Sequence, residues 1–205
     1  DLAAILFAAT RAPSGSNRQP FRFVVLRDHE RTARARALLG DAFRAAWDAK
    51  RAADGYDRGS GQDPSTPKAR MATTMEHFVD HIAEAPVIVV ACLELRRPPS
   101  LHDGASVYPA CQNLLLAARD RGYGGVITMW HQLVADELTS ELRLPEDVVI
   151  AAVIPFGRPA GAHGPVRRRP MSELVFEDRW GSPATWAIEP EDVGVAGGPP
   201  TPTME

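Results

Sequence analysis

The amino-acid sequence predicts an α+β fold, a mixed central sheet covered by helices on both faces. Three observations predict it. Short apolar runs at 21–27, 87–93 and 148–156 alternate with segments of helical periodicity. The runs at 87–93 and 148–156 are almost continuously apolar, as strands buried on both faces are. A length of 205 residues with 44% hydrophobic content is enough for one domain with a sizeable core.

Leu2, Ile5, Leu6 and Ala9 recur at helical spacing behind Asp1, a residue suited to an N-cap, and predict a helix over 1–11. The run 21–27 reads as a strand. Asp28 is placed to cap a second helix reaching about residue 50, with Leu38, Leu39, Ala42, Phe43, Ala46 and Trp47 as its apolar face. Residues 53–67 have turn chemistry and no periodicity. They are expected to form a mobile surface loop, the best candidate for a lid or substrate-facing segment. Met71, Met75, Phe78, Val79 and Ile82 mark a third helix that ends before Pro86. After the strand at 87–93 and the break Arg96-Arg97-Pro98-Pro99, residues 103–121 form the clearest helix. It carries Val107, Ala110, Cys111, Leu114, Leu115 and Ala118 on one side, and Gly122 stops it. A short strand over 123–128, a helix over 134–143 and the strand at 148–156 complete the core, which spans 1–180. Residues 181–205 read as a tail in which Pro and Gly dominate and little can form a core.

Composition excludes several classes. A formal net charge of −3 and a pI near 6.1 give no electrostatic footprint for nucleic acid. No apolar run approaches the roughly 18 residues of a membrane span, and no signal-peptide pattern opens the chain, so no membrane association and a cytoplasmic location are expected. Cys92 lies in an apolar run and Cys111 on a helix face, and both read as small buried hydrophobes rather than a disulfide or metal pair. His77 and His81 have i, i+4 spacing compatible with a metal, but no Glu follows the first in the His-Glu-x-x-His form and no third ligand is evident.

The stretch with the most chemistry is Ala12-Pro13-Ser14-Gly15-Ser16-Asn17-Arg18-Gln19-Pro20, between the first helix and the first strand. It offers backbone N–H groups and small polar side chains on a tight loop, which suits a polar, planar or anionic ligand. Gly15 permits a left-handed backbone and close approach of a ligand, while Pro13 and Pro20 restrict the entry and exit of the loop. The alternative is a plain helix-to-strand connection.

This loop resembles the Ala-Pro-Ser-Gly-x-Asn-x-Gln-Pro-Trp motif of the flavin-dependent nitroreductase superfamily, with Phe21 in place of the Trp. Four further segments resemble that family in the same order. They are Gly104-Ala105-Ser106-Val107 leading into Gln112-Asn113-Leu114-Leu115-Leu116-Ala117-Ala118, then Gly122-Tyr123-Gly124-Gly125, then Leu144-Pro145 with 149–159, and Arg167-Arg168-Arg169-Pro170-Met171. Members usually begin with an Arg-Ser-x-Arg segment that holds the flavin phosphate, and this sequence opens after that position, at Asp1-Leu2.

The resemblance implies the nitroreductase fold, an intertwined homodimer with flavin at the subunit interface, and a tail that wraps the partner. It implies FMN as cofactor, NADH or NADPH as electron donor, and ping-pong reduction of a small aromatic substrate: a nitroaromatic, quinone or conjugated acceptor. By position it implies cofactor contacts from Pro13, Ser14, Gly15 and Asn17, with Ser16 toward the substrate. It also implies that Ile127, Thr128 and Met129 direct backbone N–H groups at the O4–N5 edge of the flavin, which stabilises the electron-rich reduced ring. Arg168, with Arg167 beside it, matches the phosphate-binding arginine, since a guanidinium supplies two charge-assisted donors in one plane. His131 follows this segment and is a candidate to face substrate. No catalytic side chain is implied, because the chemistry belongs to the flavin.

Other readings stay open. One is a nitroreductase-like protein that binds flavin, or has lost it, without turnover. Related reductive dehalogenases and benzimidazole synthases are others. A dehalogenase lid would carry Glu, Tyr and Lys, and here Tyr56, Lys68 and Glu76 occur in a different order. A deazaflavin could replace FMN. No Gly-x-Gly-x-x-Gly follows a predicted strand, so NADH and NADPH are not distinguished.

Overall fold

Strand β2, Val87–Glu94, is apolar at every position but the last and is buried along almost its whole length. Such a strand needs a layer on each face. The computed structural model, which describes residues 1–100, 102–161 and 168–190, supplies both layers. By contacts the chain divides into a first unit, Asp1–Pro159, and a second, Ala160–Glu205.

In the first unit β2 lies between β1, Phe21–Arg27, and β4, Val148–Gly157, and β3, Gly124–Gly125, pairs with the outer edge of β4. The order is β1-β2-β4-β3. Every pairing among the described residues is antiparallel, so the parallel part of the expected mixed sheet is not among them. Side chains alternate as the pleat requires. Val89, Ala91 and Leu93 meet a layer made by α1, Leu2–Ala9, and α4, Gly104–Asp120, through Ile5, Ala9, Val107, Cys111 and Leu114. Ile88, Val90 and Cys92 meet the opposite layer. Its helices are α2, Ala33–Ala53, α3, Pro67–His81, and α5, Ala135–Glu141, with Phe43, Trp47, Val79 and Leu138 at its centre.

The expected helices are present with altered ends. Asp1 does not cap α1 with its side chain; its carboxylate accepts instead from the Tyr123 hydroxyl at 2.9 Å. Asp28 does not cap α2. A 3-10 turn, Glu30–Thr32, intervenes, and His29 Nδ1 accepts from Arg31 N–H at its start. Met71 is half exposed and lies off the buried face of α3, whose first turn is capped by Thr66. The segment after α2 is ordered by turns and a 3-10 helix, Gly59–Gln62, and Tyr56 packs on Trp47 with ring centroids 5.2 Å apart. The expected strand at 123–128 is reduced to β3 and a single bridge from Thr128 to Val153. The first half of β4 is only half-buried.

Arg36, on α2, is 4% exposed and lies where three elements meet. Its guanidinium donates to Ala83 O at 2.8 Å, Ala85 O at 2.6 Å and Leu26 O at 3.4 Å. These carbonyls close the turn between α3 and β2 and the end of β1. A helix end presents carbonyls with partial negative charge, so the buried cation and the orphan acceptors satisfy one another.

In the second unit, α6, Met171–Leu174, is followed by a turn with Asp178 and Gly181 at positive φ. Trp186 Nε1 donates to Glu177 Oε1 at 3.0 Å, Phe176 bridges to Pro183, and Trp180 stacks on Phe176 while remaining 92% exposed. Residues 160 and 161 and 168–180, grouped with the core by sequence, belong by contacts to this unit.

Replacing Arg36 by Met removes the charge but strands three carbonyls, and is expected to lower the unfolding free energy by about 3 kcal/mol in a urea titration. Cys92 and Cys111 are fully buried, and burial pushes both thiols up to about 11. A thiol reagent at pH 8 is expected to modify neither in the native protein and both in denaturant. The same raised values weaken folding as pH climbs from the ordinary 9.0 toward about 11, because the unfolded chain releases its thiol protons first.

Candidate functional site

The loop from Thr10 to Pro20 is built on unusual backbone. Ser16, Asn17 and Gln19 have φ of 53°, 51° and 49°, three left-handed non-glycine residues within four positions. Such conformations cost roughly 1–2 kcal/mol each, and they gather at ligand sites. Local bonds hold them. Gln19 N–H donates to Ser14 Oγ at 2.9 Å, and Asn17 N–H donates to Ser14 O at 2.9 Å. Gln19 Nε2 donates to Asn17 Oδ1 at 3.2 Å, and Arg22 Nη1 donates to Gln19 O at 2.8 Å while its other nitrogen pairs with Glu94. Ser14 is half-buried; Pro13, Gly15, Ser16 and Asn17 are exposed. The Gly15 N–H donates to Ser106 Oγ on α4 at 3.4 Å.

The second candidate segment runs beside β4. Thr128 exchanges two backbone hydrogen bonds with Val153, at 3.0 and 2.9 Å, so its N–H, expected from the sequence to point at the flavin, is instead committed to the sheet. Next to that bridge the register between β2 and β4 slips. Ala91 faces Ala152 while Cys92 faces Ile150, which leaves Ala151 as an extra residue, a β-bulge. The two carbonyls at the slip take side-chain partners. His131 Nε2 lies 3.2 Å from Ile150 O, and the Tyr108 hydroxyl donates to Ala151 O at 3.4 Å while lying 3.7 Å from Met129 Sδ. Ile127 and Thr128 are half-buried and Met129 is exposed.

Both segments thus rest on the start of α4, the loop through Ser106 and the 127–129 edge through Tyr108. Residues two apart on a helix point to different sides. Within one chain the loop and the edge are therefore anchored on different flanks of α4. Arg168 is exposed in the second unit, and Arg167 lies outside the described residues. Sequence reasoning missed Gln19, Ser106, Tyr108 and the bulge. Tyr108 had one available signal, a Gly four residues earlier at the start of a helix.

His131 is a correction. It is 2% exposed, part of the layer beneath α2, and so does not face a substrate in this chain. Its Nδ1 has no hydrogen-bond partner among the described residues. Nε2 therefore carries the proton and donates to Ile150 O, the neutral tautomer. Burial holds its pKa below the ordinary 6.5 despite the favourable carbonyl.

The residues weighed for a lid are tied elsewhere. Lys68 Nζ lies 5.5 Å over the Tyr56 ring. Glu76 accepts from Trp47 Nε1 at 2.6 Å, from Arg44 at 2.8 Å and from Arg51 at 3.3 Å, and the indole donor leads in holding its carboxyl below the usual range. Arg51, Tyr56, Thr73 and Glu76 line an open groove of about 580 Å³. His77 and His81 stack at 4.2 Å between ring centroids, and His81 Nδ1 is engaged by His77 O at 2.7 Å.

The Nitroreductase family model matches residues 1–158. This chain belongs to the nitroreductase family. Its fold is also that of solved nitroreductase-family structures. A Desulfovibrio desulfuricans protein assigned as a nitroreductase and solved in complex with FMN is 28% identical, with 87% of this chain and 84% of that one covered and a TM-score of 0.61. A variant of an FMN- and NADPH-dependent nitroreductase from Sphigopyxis sp. strain HMH is 19% identical, covering 86% and 88%, with a TM-score of 0.63. An iodotyrosine deiodinase bound to FMN and 3-iodo-L-tyrosine is 22% identical, covering 89% and 87%, with a TM-score of 0.57.

The Ser14 loop of this nitroreductase-family chain fits a flavin. A Cβ placed on Gly15 would meet only Ser106 Oγ, at 3.9 Å, so the backbone there is open to close approach by a ligand, and Ser16 and Asn17 beside it are exposed. No helix among the described residues is long and apolar enough to cross a membrane.

The depressed His131 pKa carries a pH signature. Between the folded value and 6.5 the unfolded chain binds a proton that the folded chain does not, so stability falls as pH drops from about 6.5. Urea midpoints measured from pH 7.5 to 5.5 are expected to decline, and His131→Gln is expected to flatten that slope.

Proposed function

We propose that this chain is an FMN-dependent oxidoreductase that takes electrons from NADH or NADPH and reduces a small nitroaromatic, quinone or conjugated acceptor in a ping-pong cycle. The observation that carries this reading is the Ser14 loop, which holds three left-handed residues, Gln19 among them fixed by Ser14 Oγ, and is tied to α4 where Gly15 N–H meets Ser106. Strain of that kind persists where a ligand-facing geometry is maintained. Family membership supplies the ligand class. The solved relatives in complex with FMN support the same cofactor.

Bound FMN would supply the two-electron chemistry, and the chain would supply position and field. Ser14, Gly15 and Asn17, with Pro13 shaping the loop, would hold the ring, and Ser16 would stand toward the substrate. The Ile127 and Met129 N–H groups, on a segment fixed to β4 by Thr128, whose own N–H is spent on Val153 O, would be the backbone donors to the pyrimidine side of the ring. Arg168 and Arg167 would bind the phosphate. Anchorage of the loop and the edge on different flanks of α4 favours a site completed by a second copy of the chain, hence a homodimer. We place the protein in the cytoplasm on the same reading.

The decisive test is the visible absorption spectrum of the purified protein after incubation with FMN, followed by anaerobic addition of NADH and, separately, NADPH. A bound-flavin spectrum that bleaches is the expected result. A chain that retains no flavin overturns the reading, and one that retains flavin without bleaching is a flavin-binding protein lacking this donor chemistry. Arg168→Ala removes a charge-assisted phosphate contact and is expected to weaken FMN binding about 10- to 100-fold by fluorescence titration.

A further inference from the structure

We propose that Tyr108 is a positioning residue of this site, the side chain that sets where Met129 lies and hence how the Ile127–Met129 edge meets the flavin. The inference rests on FMN binding at that edge, as proposed above. Three observations carry it.

The phenol has one proton, shared between Ala151 O at 3.4 Å and Met129 Sδ at 3.7 Å. Ala151 is the bulge residue, so the hydroxyl links Met129 to the point where the β2–β4 register is interrupted. The neighbouring Thr128 is already locked to Val153 by two backbone bonds. Met129 is where the segment leaves that lock, and Tyr108 constrains it there.

The ring itself is seated. Side chains on a helix lean toward its N-terminus, which carries the Tyr108 ring back over Gly104. A Cβ on Gly104 would come within 2.7 Å of Tyr108 Cε2 and 2.9 Å of Cδ2. A glycine at the first position of α4 is therefore what allows the ring to lie against that turn.

Burial completes the case. Tyr108 is 38% exposed, Met129 36% and Val126 46%. Ring, thioether and valine do not belong to the core. They are exposed apolar groups at or beside the candidate edge, with Tyr108 and Met129 in contact, next to where the ring is proposed to lie.

The test uses the full chain with FMN as the probe, comparing wild type, Tyr108→Phe and Gly104→Ala. The readouts are FMN affinity by fluorescence, the midpoint potential of the bound flavin, and the melting temperature of the flavin-free protein. Tyr108→Phe is expected to bind FMN about fivefold more weakly and to lower the potential, because looser donors stabilise the reduced ring less, with the melting temperature unchanged. Gly104→Ala displaces the ring and is expected to move affinity and potential in the same direction, although alanine is the better helix former. A Tyr108→Phe protein with wild-type affinity and potential overturns the proposal while leaving FMN binding intact. A lowered melting temperature with an unchanged potential overturns it too, since Tyr108 would then be structural only. A wild-type chain that takes up no FMN overturns the proposed function, and this inference falls with it.

Discussion

Opposite Ala91 and Cys92, β4 carries one residue more than β2, and the extra residue changes which way the strand faces. Val149, Ala151, Ala152 and Ile154 all pack on the α1–α4 side, so the alternation of the pleat is broken at Ala151–Ala152. Without the slip, either Val149 and Ala151 or Ala152 and Ile154 would turn to the other layer, because a one-residue shift exchanges the two faces of a strand. At the slip, Ile150 O and Ala151 O are met by side chains from outside the ladder. His131 and Tyr108 meet them, and each borders the Ile127–Met129 edge. A packing irregularity in the sheet and the placement of the candidate flavin edge are thus one feature. Bulges beside active sites commonly have this effect of re-aiming a neighbouring segment.

The two layers divide the work. On the α2–α3 side, aromatic packing of Phe43 on Trp130 and Trp47 on Tyr56 fills the interior, and Arg36 binds the turn between α3 and β2 to the end of β1. This half packs the sheet against a large aromatic core. The α1–α4 side is built from smaller residues, among them Ala9, Ala110, Cys111 and Ala118. Small residues let α1 and α4 approach each other, and Asn113 Nδ2 donates to Ala8 O at 3.3 Å to finish the end of α1. The loop that follows therefore starts from a fixed point a short distance from α4. Its left-handed residues inherit that placement rather than creating it.

The sequence made the elements legible wherever periodicity was strong. Val87 to Leu93, the α4 face from Val107 to Ala118 and the Ser14 loop were each readable from spacing and composition. Direction was not, because an apolar run looks alike whether its neighbour is parallel or antiparallel. The bulge was invisible for a similar reason: Val149 to Ile154 is apolar throughout, so a break in alternation leaves no mark. Asp28 had the chemistry of a cap, but the 3-10 turn at Glu30–Thr32 placed His29 where a cap was needed. His131 read as a polar turn residue, and its burial, with Nε2 placed against Ile150 O of β4, is a tertiary fact. Of the candidate site, the Ser14 loop and the 127–129 edge were found through family motifs. Tyr108 and Gln19 were not, since one looked like an ordinary helix aromatic and the other like a loop amide.

Gln19 shows how the loop maintains its geometry. A left-handed residue without glycine's freedom is disfavoured unless its surroundings determine it. Here the backbone N–H of Gln19 is held by Ser14 Oγ, its carbonyl by Arg22, and its side chain holds Asn17, which is itself left-handed. Arg22 is in turn paired with Glu94 across the β1–β2 edge, so the strain is referred back to the sheet. Glycine at 16, 17 or 19 would relieve the conformational cost, yet it would also loosen a loop whose exposed groups need fixed directions to bind a ligand. The chain instead keeps side chains at all three positions and holds them with its own hydrogen bonds. That arrangement favours preorganisation of the Ser14 loop over local stability, in keeping with the ligand proposed to bind there.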